Sequence, residues 1–195
     1  MALELDIKLG QTPLDPDEAA GLIPSHISTQ GELDEWEAMN LMRAQAWLNR
    51  QRDLDVLNDA FCRDLHRRMF DQTWKWAGTF RRSDKNLGCE WLHVGVQLRN
   101  LFDDTTYWIE HSVFSVDEIA ARFHHKLVSI HPFPNGNGRH ARFMTDALLR
   151  QCKHPELTWG RGNLVTMGAV RHQYIEALRA ADQGDLTLLC RFVRS

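Results

Sequence analysis

Within the twelve residues His131 to Arg142 the chain places an imidazole (His131), a turn with two glycines (Asn135, Gly136, Asn137, Gly138) and two guanidinium groups (Arg139, Arg142). Imidazole titrates near neutrality, which suits His131 to take a proton from an attacking hydroxyl. The glycines free the backbone to turn N–H groups toward an anion. Phe143, Met144, Ala147 and Leu148 follow at helical spacing, so a helix N-terminus is expected to open at the turn. Arg139 and Arg142 then stand at i,i+3 on one face, where they repel unless an anion or a carboxylate lies between them. The pattern reads as a base beside a polyphosphate-binding helix terminus. The plainer alternative is a structural histidine and a solvated arginine pair, with Asp146 four residues on holding Arg142.

Flanking elements must position these groups. Ser115-Val116-Asp117-Glu118 matches a capping box, and Ile119, Phe123 and Leu127 follow at i,i+4 steps, so a helix is expected up to Ile130. It stops where Pro132 restricts the residue before it, leaving His131 on a loop between two helices. Further upstream, a helical face is expected through Leu33, Trp36, Met39, Arg43 and Trp47, and another through Leu54, Leu57, Phe61 and Leu65. Between Trp74 and Val96 periodicity fails, and Gly78, Gly88, Gly95 and the polar run Arg81 to Asn86 suggest a short hairpin or irregular flap. Downstream, Pro155 to Asn163 reads as a loop. Val165, Ala169, Tyr174, Ile175 and Leu178 read as a long helix, and Asp185 as the cap of a last one carrying Leu186, Leu189 and Phe192. Leu3 to Pro24, with Gly10, Pro13, Pro16, Gly21 and Pro24, reads as an extended or loosely packed arm able to lie across the domain surface. The expected fold class is mostly α, a helical bundle with a small β-hairpin flap.

Composition bounds the function. A chain of 195 residues fits one domain with a sizeable core, and a net charge of -3 leaves no electrostatic footprint for nucleic acid. Cys62, Cys89, Cys152 and Cys190 are scattered without metal or disulfide spacing, which fits a reducing compartment. Met1 to Gly10 has no basic region followed by an apolar stretch, and no apolar run reaches membrane-spanning length, so a cytoplasmic location without membrane attachment is expected. Gly136 to Ala141 also satisfies the loose dinucleotide fingerprint, but that motif needs a strand before it, and the preceding segment has helical spacing. There is no Gly-Lys-Ser or Gly-Lys-Thr for a P-loop. His124, His125 and His131 lack the spacing of a metal motif, so structural or helix-surface roles are expected for the first two.

The stretch His131-Pro132-Phe133, then Gly136-Asn137-Gly138-Arg139 and Arg142, resembles the Fic family signature. Trp76-Ala77-Gly78 with Arg81 is similar to that family's approach to its flap, and Arg171 to Asp185 to its C-terminal helices. Thr12-Pro13-Leu14-Asp15 and Leu22-Ile23-Pro24 look most like the subgroup called mobile mystery protein B. The resemblance implies an enzyme that moves AMP from ATP to a Ser, Thr or Tyr hydroxyl of a target protein, releasing pyrophosphate. His131 would be the base, and Phe133 the anchor of the loop in the core. Gly136, Asn137 and Gly138 would bind the α- and β-phosphates, Arg139 the β-phosphate region and Arg142 the γ-phosphate. A hairpin from Thr79 to Val94, with Lys85, Asn86, Leu87 and Gly88, would grip the target's backbone.

Two departures bear on activity. The resemblance places Asp or Glu at the position of Asn135, where the carboxylate binds Mg²⁺; the Asn135 oxygen can still ligate that hard cation but brings no charge, so weakened Mg²⁺ binding at Asn135 is expected. The alternatives are therefore a catalytically weak nucleotide-binding regulatory module, or transfer of another group such as UMP or phosphocholine. Many relatives also carry an inhibitory Ser or Thr, three residues, Glu, then Gly or Asn. Ser28 and Glu32 match its start, but Leu33 does not match its end, and Ser28 or Thr29 capping a helix is the ordinary alternative. The resemblance further implies an inhibitory or antitoxin partner. The expected organisation is an N-terminal arm over 1–31, with the inhibitory segment, and a catalytic domain over 32–195.

Overall fold

The computed structural model describes residues 12–161 and 168–195. The reading of Met1 to Gly10 and of Val165 as part of a helix falls outside them. Eight α-helices occur among the described residues: α1 (Pro16–Ala19), α2 (Gln30–Arg50), α3 (Asp59–Phe70), α4 (Val94–Glu110), α5 (Val116–Ile130), α6 (Asn137–Gln151), α7 (Ala169–Asp182) and α8 (Thr187–Val193). None is long and apolar enough to cross a membrane. The mostly helical class is as expected.

Helices α5 and α6 form the centre. Phe123, Leu127 and Ile130 of α5 and Ala141, Met144 and Leu148 of α6 bury against α2, α3 and α4 in one core cluster. Ala120, Ala121 and Leu149, on the other side of the same two helices, bury against Tyr174 and Ala177 of α7 and Leu189 and Phe192 of α8 in a second. The loop 131–136 between α5 and α6 is thus held from both sides. Ser115 caps α5 by accepting from the Glu118 N–H, but the reciprocal half of the expected box is missing because the Glu118 carboxylate pairs with Arg122 instead.

Helix α3 starts at Asp59, so Leu54 and Leu57 precede it instead of sharing its face with Phe61 and Leu65, and three further features differ from the sequence reading. The buried face of α2 runs through Leu33, Glu37, Asn40, Ala44 and Leu48, while Met39 and Arg43 face solvent and Trp36 and Trp47 sit at the edge. Two polar residues on the inner stripe disguise that face. Helix α4, with Leu98, Leu101 and Phe102 buried, had no counterpart in the motif reading. The β-hairpin flap is absent: residues 79–90 form bends without strand pairing, and the only β pairing among the described residues is a single antiparallel bridge between Leu22 and Trp74.

The flap is braced by a side chain. Arg81, 2 % exposed, donates from Nε to the His131 carbonyl (2.6 Å), from Nη1 to the Ser83 carbonyl (2.9 Å) and from Nη2 to the Cys89 carbonyl. Its own N–H donates to the Pro132 carbonyl at 2.9 Å. A guanidinium with five fixed donors links backbone segments that do not run alongside each other, which strand pairing cannot do.

Candidate functional site

The loop after α5 turns sharply because His131 takes a left-handed conformation (φ 55°, ψ 61°), which ends the helix while its N–H still donates to Leu127. That conformation costs a non-glycine residue about 1–2 kcal/mol, and the surrounding contacts must hold it. Phe133 supplies one such contact, fully buried and stacked on the His66 ring at 3.7 Å. Asn137 supplies another: its side chain accepts from the Phe133 N–H (2.9 Å) and donates to the Phe133 carbonyl (2.8 Å). This amide is spent on the loop, so Asn137 offers a ligand its backbone N–H only. Gly136 opens α6 at φ 77°, with the Phe70 ring 2.5 Å from where a Cβ would stand. The first N–H groups of α6 have no intrahelical partner and turn the positive end of the helix toward the cavity, where an anion could bind.

His66 ties this loop to the flap. Its Nδ1 accepts from the Gly78 N–H at 3.0 Å, so Nε2 carries the proton and donates to the Asn135 carbonyl at 3.1 Å. Burial holds His66 well below the usual histidine range, fixing it as a neutral two-way connector. His140 of α6 is likewise buried, bonded through Nε2 to the Cys62 carbonyl of α3 at 2.9 Å, and pushed down to about 4.

His131, Gly136, Asn137, Gly138, Arg139 and Arg142 all line one cavity of about 680 Å³. Leu87 and Gly88 of the flap, Arg171 and Tyr174 of α7, and Thr12 to Leu14 of the arm close it. Gly88 packs so tightly on the base that a Cβ there would lie 2.7 Å from the His131 Cβ. Burial pushes His131 down to about 4, helped by the Arg81 guanidinium and opposed in part by the Val128 carbonyl. The imidazole is therefore neutral at physiological pH and able to accept a proton.

The two arginines are held differently. Arg139 lies over the Phe70 ring (4.8 Å) and pairs through Nη1 with the Glu37 carboxylate at 2.5 Å. Glu37 also accepts from Trp74 Nε1 at 2.8 Å, so a carboxylate from the inner face of α2 occupies the space an anion would take. Among the described residues no carboxylate forms an ion pair with Arg142, which meets the Tyr174 side chain of α7; burial draws its pKa down. Asp146 does not hold Arg142, as its carboxylate accepts from Trp159 Nε1 (3.0 Å) and the Leu157 N–H (3.3 Å), and burial raises it to about 7. His124 bonds Tyr174 Oη at 2.8 Å and His125 bonds Asp182 at 2.8 Å.

Other residues singled out from the sequence lie elsewhere. Glu32 accepts from the Ser28 and Thr29 N–H groups at 2.8 and 3.0 Å, and Thr29 caps α2 in return, so Ser28 and Glu32 are engaged with one another at the helix start. Glu37 was missed because it sits among Asp34 and Glu35; its position four residues after Leu33, on the apolar stripe, was the available signal. The side chain of Lys85 in the flap is 2 % exposed and binds Asp15 and Glu18 of the arm, each at 2.6 Å. Asn86 and Leu87 stay with Gly88 on the same bend, Leu87 and Gly88 at the cavity.

A Mg²⁺ ligand set does not fit Asn135. Its Oδ1 accepts from the Gly136 N–H at 2.6 Å and its Nδ2 donates to the Thr12 carbonyl at 3.1 Å, so the amide is committed to backbone. Among the described residues no three His, Cys, Asp or Glu side chains converge as metal ligands.

Residues 56–149 match the Fic/DOC family. A protein adenylyltransferase Fic from Aedes aegypti is 28% identical over 165 residues, 80% of this chain and 31% of the relative. The protein of that name from Nematostella vectensis is 36% identical over 94 residues, 48% of this chain and 20% of its own length. The chain thus spans less than a third of these curated relatives. Among solved structures, Fic-1 (aa134–508) from C. elegans superposes with a TM-score of 0.65 at 23% identity, covering 90% of this chain and 51% of its own. BepC from Bartonella tribocorum, solved with bound AMPPNP, superposes with a TM-score of 0.70 at 16% identity, covering 92% and 97%. These two share the fold.

Proposed function

We propose that this chain, whose residues 56–149 match the Fic/DOC family, transfers AMP from ATP to a Ser, Thr or Tyr hydroxyl of a target protein and releases pyrophosphate. The observation that carries this reading is that a neutral buried imidazole, a helix N-terminus and two arginines all face one cavity. His131 takes the proton of the attacking hydroxyl. The N–H groups at Asn137 and Gly138 hold the α- and β-phosphates, that of Gly136 being taken by Asn135 Oδ1, and Arg139 and Arg142 draw charge toward the leaving pyrophosphate. Positioning and electrostatics carry most of such a reaction. The Asn135 amide, committed to backbone, supplies no ligand for a Mg²⁺ ion accompanying the triphosphate.

The finer reading places the chain in the mobile mystery protein B subgroup, in the cytoplasm, with an inhibitory or antitoxin partner. Its support is the likeness of the Thr12 to Asp15 and Leu22 to Pro24 segments. The described part of the arm meets the loop and flap through Thr12, Asp15 and Glu18, which supports an inhibitory role for it, whereas Ser28 and Glu32, the inhibitory candidates of the sequence, bond to each other at the start of α2.

ATP labelled at the α-phosphate, and in parallel at the γ-phosphate, is incubated with the protein and a cell lysate, with and without Mg²⁺. Covalent label from the α-position alone supports AMP transfer. Label from neither, with ATP still bound, turns the reading to a nucleotide-binding regulatory module, and label from the γ-position to a phosphotransferase.

The Glu37–Arg139 pair yields a separate expectation. A triphosphate must displace Glu37 to reach Arg139, and charge-assisted bonds contribute about 1.5–3 kcal/mol. Glu37→Gln keeps an acceptor for Trp74 but removes the charge, so ATP affinity is expected to rise by about 10-fold or more. An unchanged Kd by titration calorimetry would mean the pair does not compete with nucleotide.

A further inference from the structure

The arm does more than line the cavity. Thr12 is 6 % exposed, and its Oγ1 lies 2.7 Å from His131 Nε2. With the imidazole proton on Nδ1, Nε2 accepts from this hydroxyl, the relation a base has to the nucleophile it activates. The segment is seated by contacts at successive points. Asn135 Nδ2 donates to the Thr12 carbonyl at 3.1 Å, and three residues later Asp15 accepts from Ser83 Oγ (2.7 Å) and Lys85 Nζ (2.6 Å). Glu18 accepts from the same ammonium at 2.6 Å, and its carbonyl takes the Trp76 Nε1–H at 3.0 Å.

We infer that Thr12 is an internal acceptor, modified by this chain's own site on the hydroxyl that faces His131. The inference rests on the AMP-transfer reading above and adds the residue. In the step, Thr12 Oγ1 attacks the α-phosphorus of ATP and forms an Oγ1–Pα bond. The bond from Pα to the oxygen bridging the α- and β-phosphates breaks, its electron pair leaves with pyrophosphate, and the hydroxyl proton passes to His131 Nε2. Thr12 puts a small nucleophile at hydrogen-bond distance from the base, beside the helix terminus that holds the phosphates. The product is tethered to the arm and remains in the cavity, so labelling stops at a single AMP per chain. An external target must displace the arm from both the flap and the base.

The test incubates the purified full chain with α-labelled ATP over a range of protein concentrations and locates the adduct by peptide mass spectrometry, with a lysate added in a parallel series. The expected result is an AMP adduct on Thr12 whose first-order rate does not change on dilution. The Thr12→Val and His131→Ala variants lack it, and the Asp15→Asn, Glu18→Gln double variant, which releases Lys85, forms it several-fold more slowly. Label on lysate proteins or on other residues, with Thr12 unmodified, overturns this inference and leaves AMP transfer standing. A Thr12 adduct that forms in proportion to chain concentration overturns the internal route. No α-label anywhere overturns both readings.

Discussion

The His131→Ala variant is expected to lose AMP transfer by about 10²- to 10⁴-fold while still binding ATP, the loss typical of removing a general base. The separation follows from the geometry. In the proposed reaction the phosphate contacts come from the start of α6 and from Arg139 and Arg142, whereas His131 meets the attacking hydroxyl; in the structure all of them line the same cavity. Because position 131 is left-handed, His131→Asn serves as a second variant, since asparagine tolerates that conformation and cannot accept a proton. The pH dependence has a defined sign. With the base pushed down to about 4, kcat/KM of the wild type holds as pH falls through 6.5 and drops only as His131 protonates near 4. A rate limb centred at 6.5, or a His131→Ala variant retaining a tenth of wild-type transfer, would remove His131 as the base.

Arg81→Ala is expected to cost about 3–5 kcal/mol of stability, since it strips a buried guanidinium from the carbonyls of His131, Ser83 and Cys89 and leaves them without donors. For a chain of this size that lowers Tm by roughly 6–20 °C. Arg81→Lys retains the charge but not the fork, so it recovers part of the stability while transfer stays depressed, with the flap and His131 no longer in register. Thermal unfolding and single-turnover labelling of both variants read the two effects. A change in Tm within a degree for Arg81→Ala would show that the flap is held by other contacts.

What could be read from the sequence divides along a physical line. The α5–loop–α6 unit was legible because helical spacing, Pro132 and the two glycines act locally, and each lies within a few residues of what it determines. The flap was legible as an irregular segment but not as a hairpin or its absence, because its brace is one side chain reaching carbonyls as far as 50 positions away in the chain. The face of α2 was misread for a related reason. Glu37 and Asn40 look solvent-facing by type, and Glu37 turns inward because Arg139, 102 positions on, receives it. Thr12 was similarly unreadable: nothing in an arm with several prolines announces a hydroxyl aimed at a base 119 residues away. Long-range polar pairing leaves no periodicity, and here it places most of the groups around the cavity.

The buried histidines also couple the fold to acid. His66, His124, His131 and His140 are all held neutral by burial, with His124 at about 3, His131 and His140 at about 4, and His66 lower than its ordinary value as well. An unfolded chain binds protons on these rings near 6.5, so unfolding takes up protons that the native state refuses, and stability is lost as pH falls from about 6.5 toward 4. Asp146, raised to about 7, runs the other way and offsets about one of the four, since the native state already holds its proton across that window. The burial that keeps the base ready to accept a proton therefore leaves the whole molecule open to acid-driven unfolding.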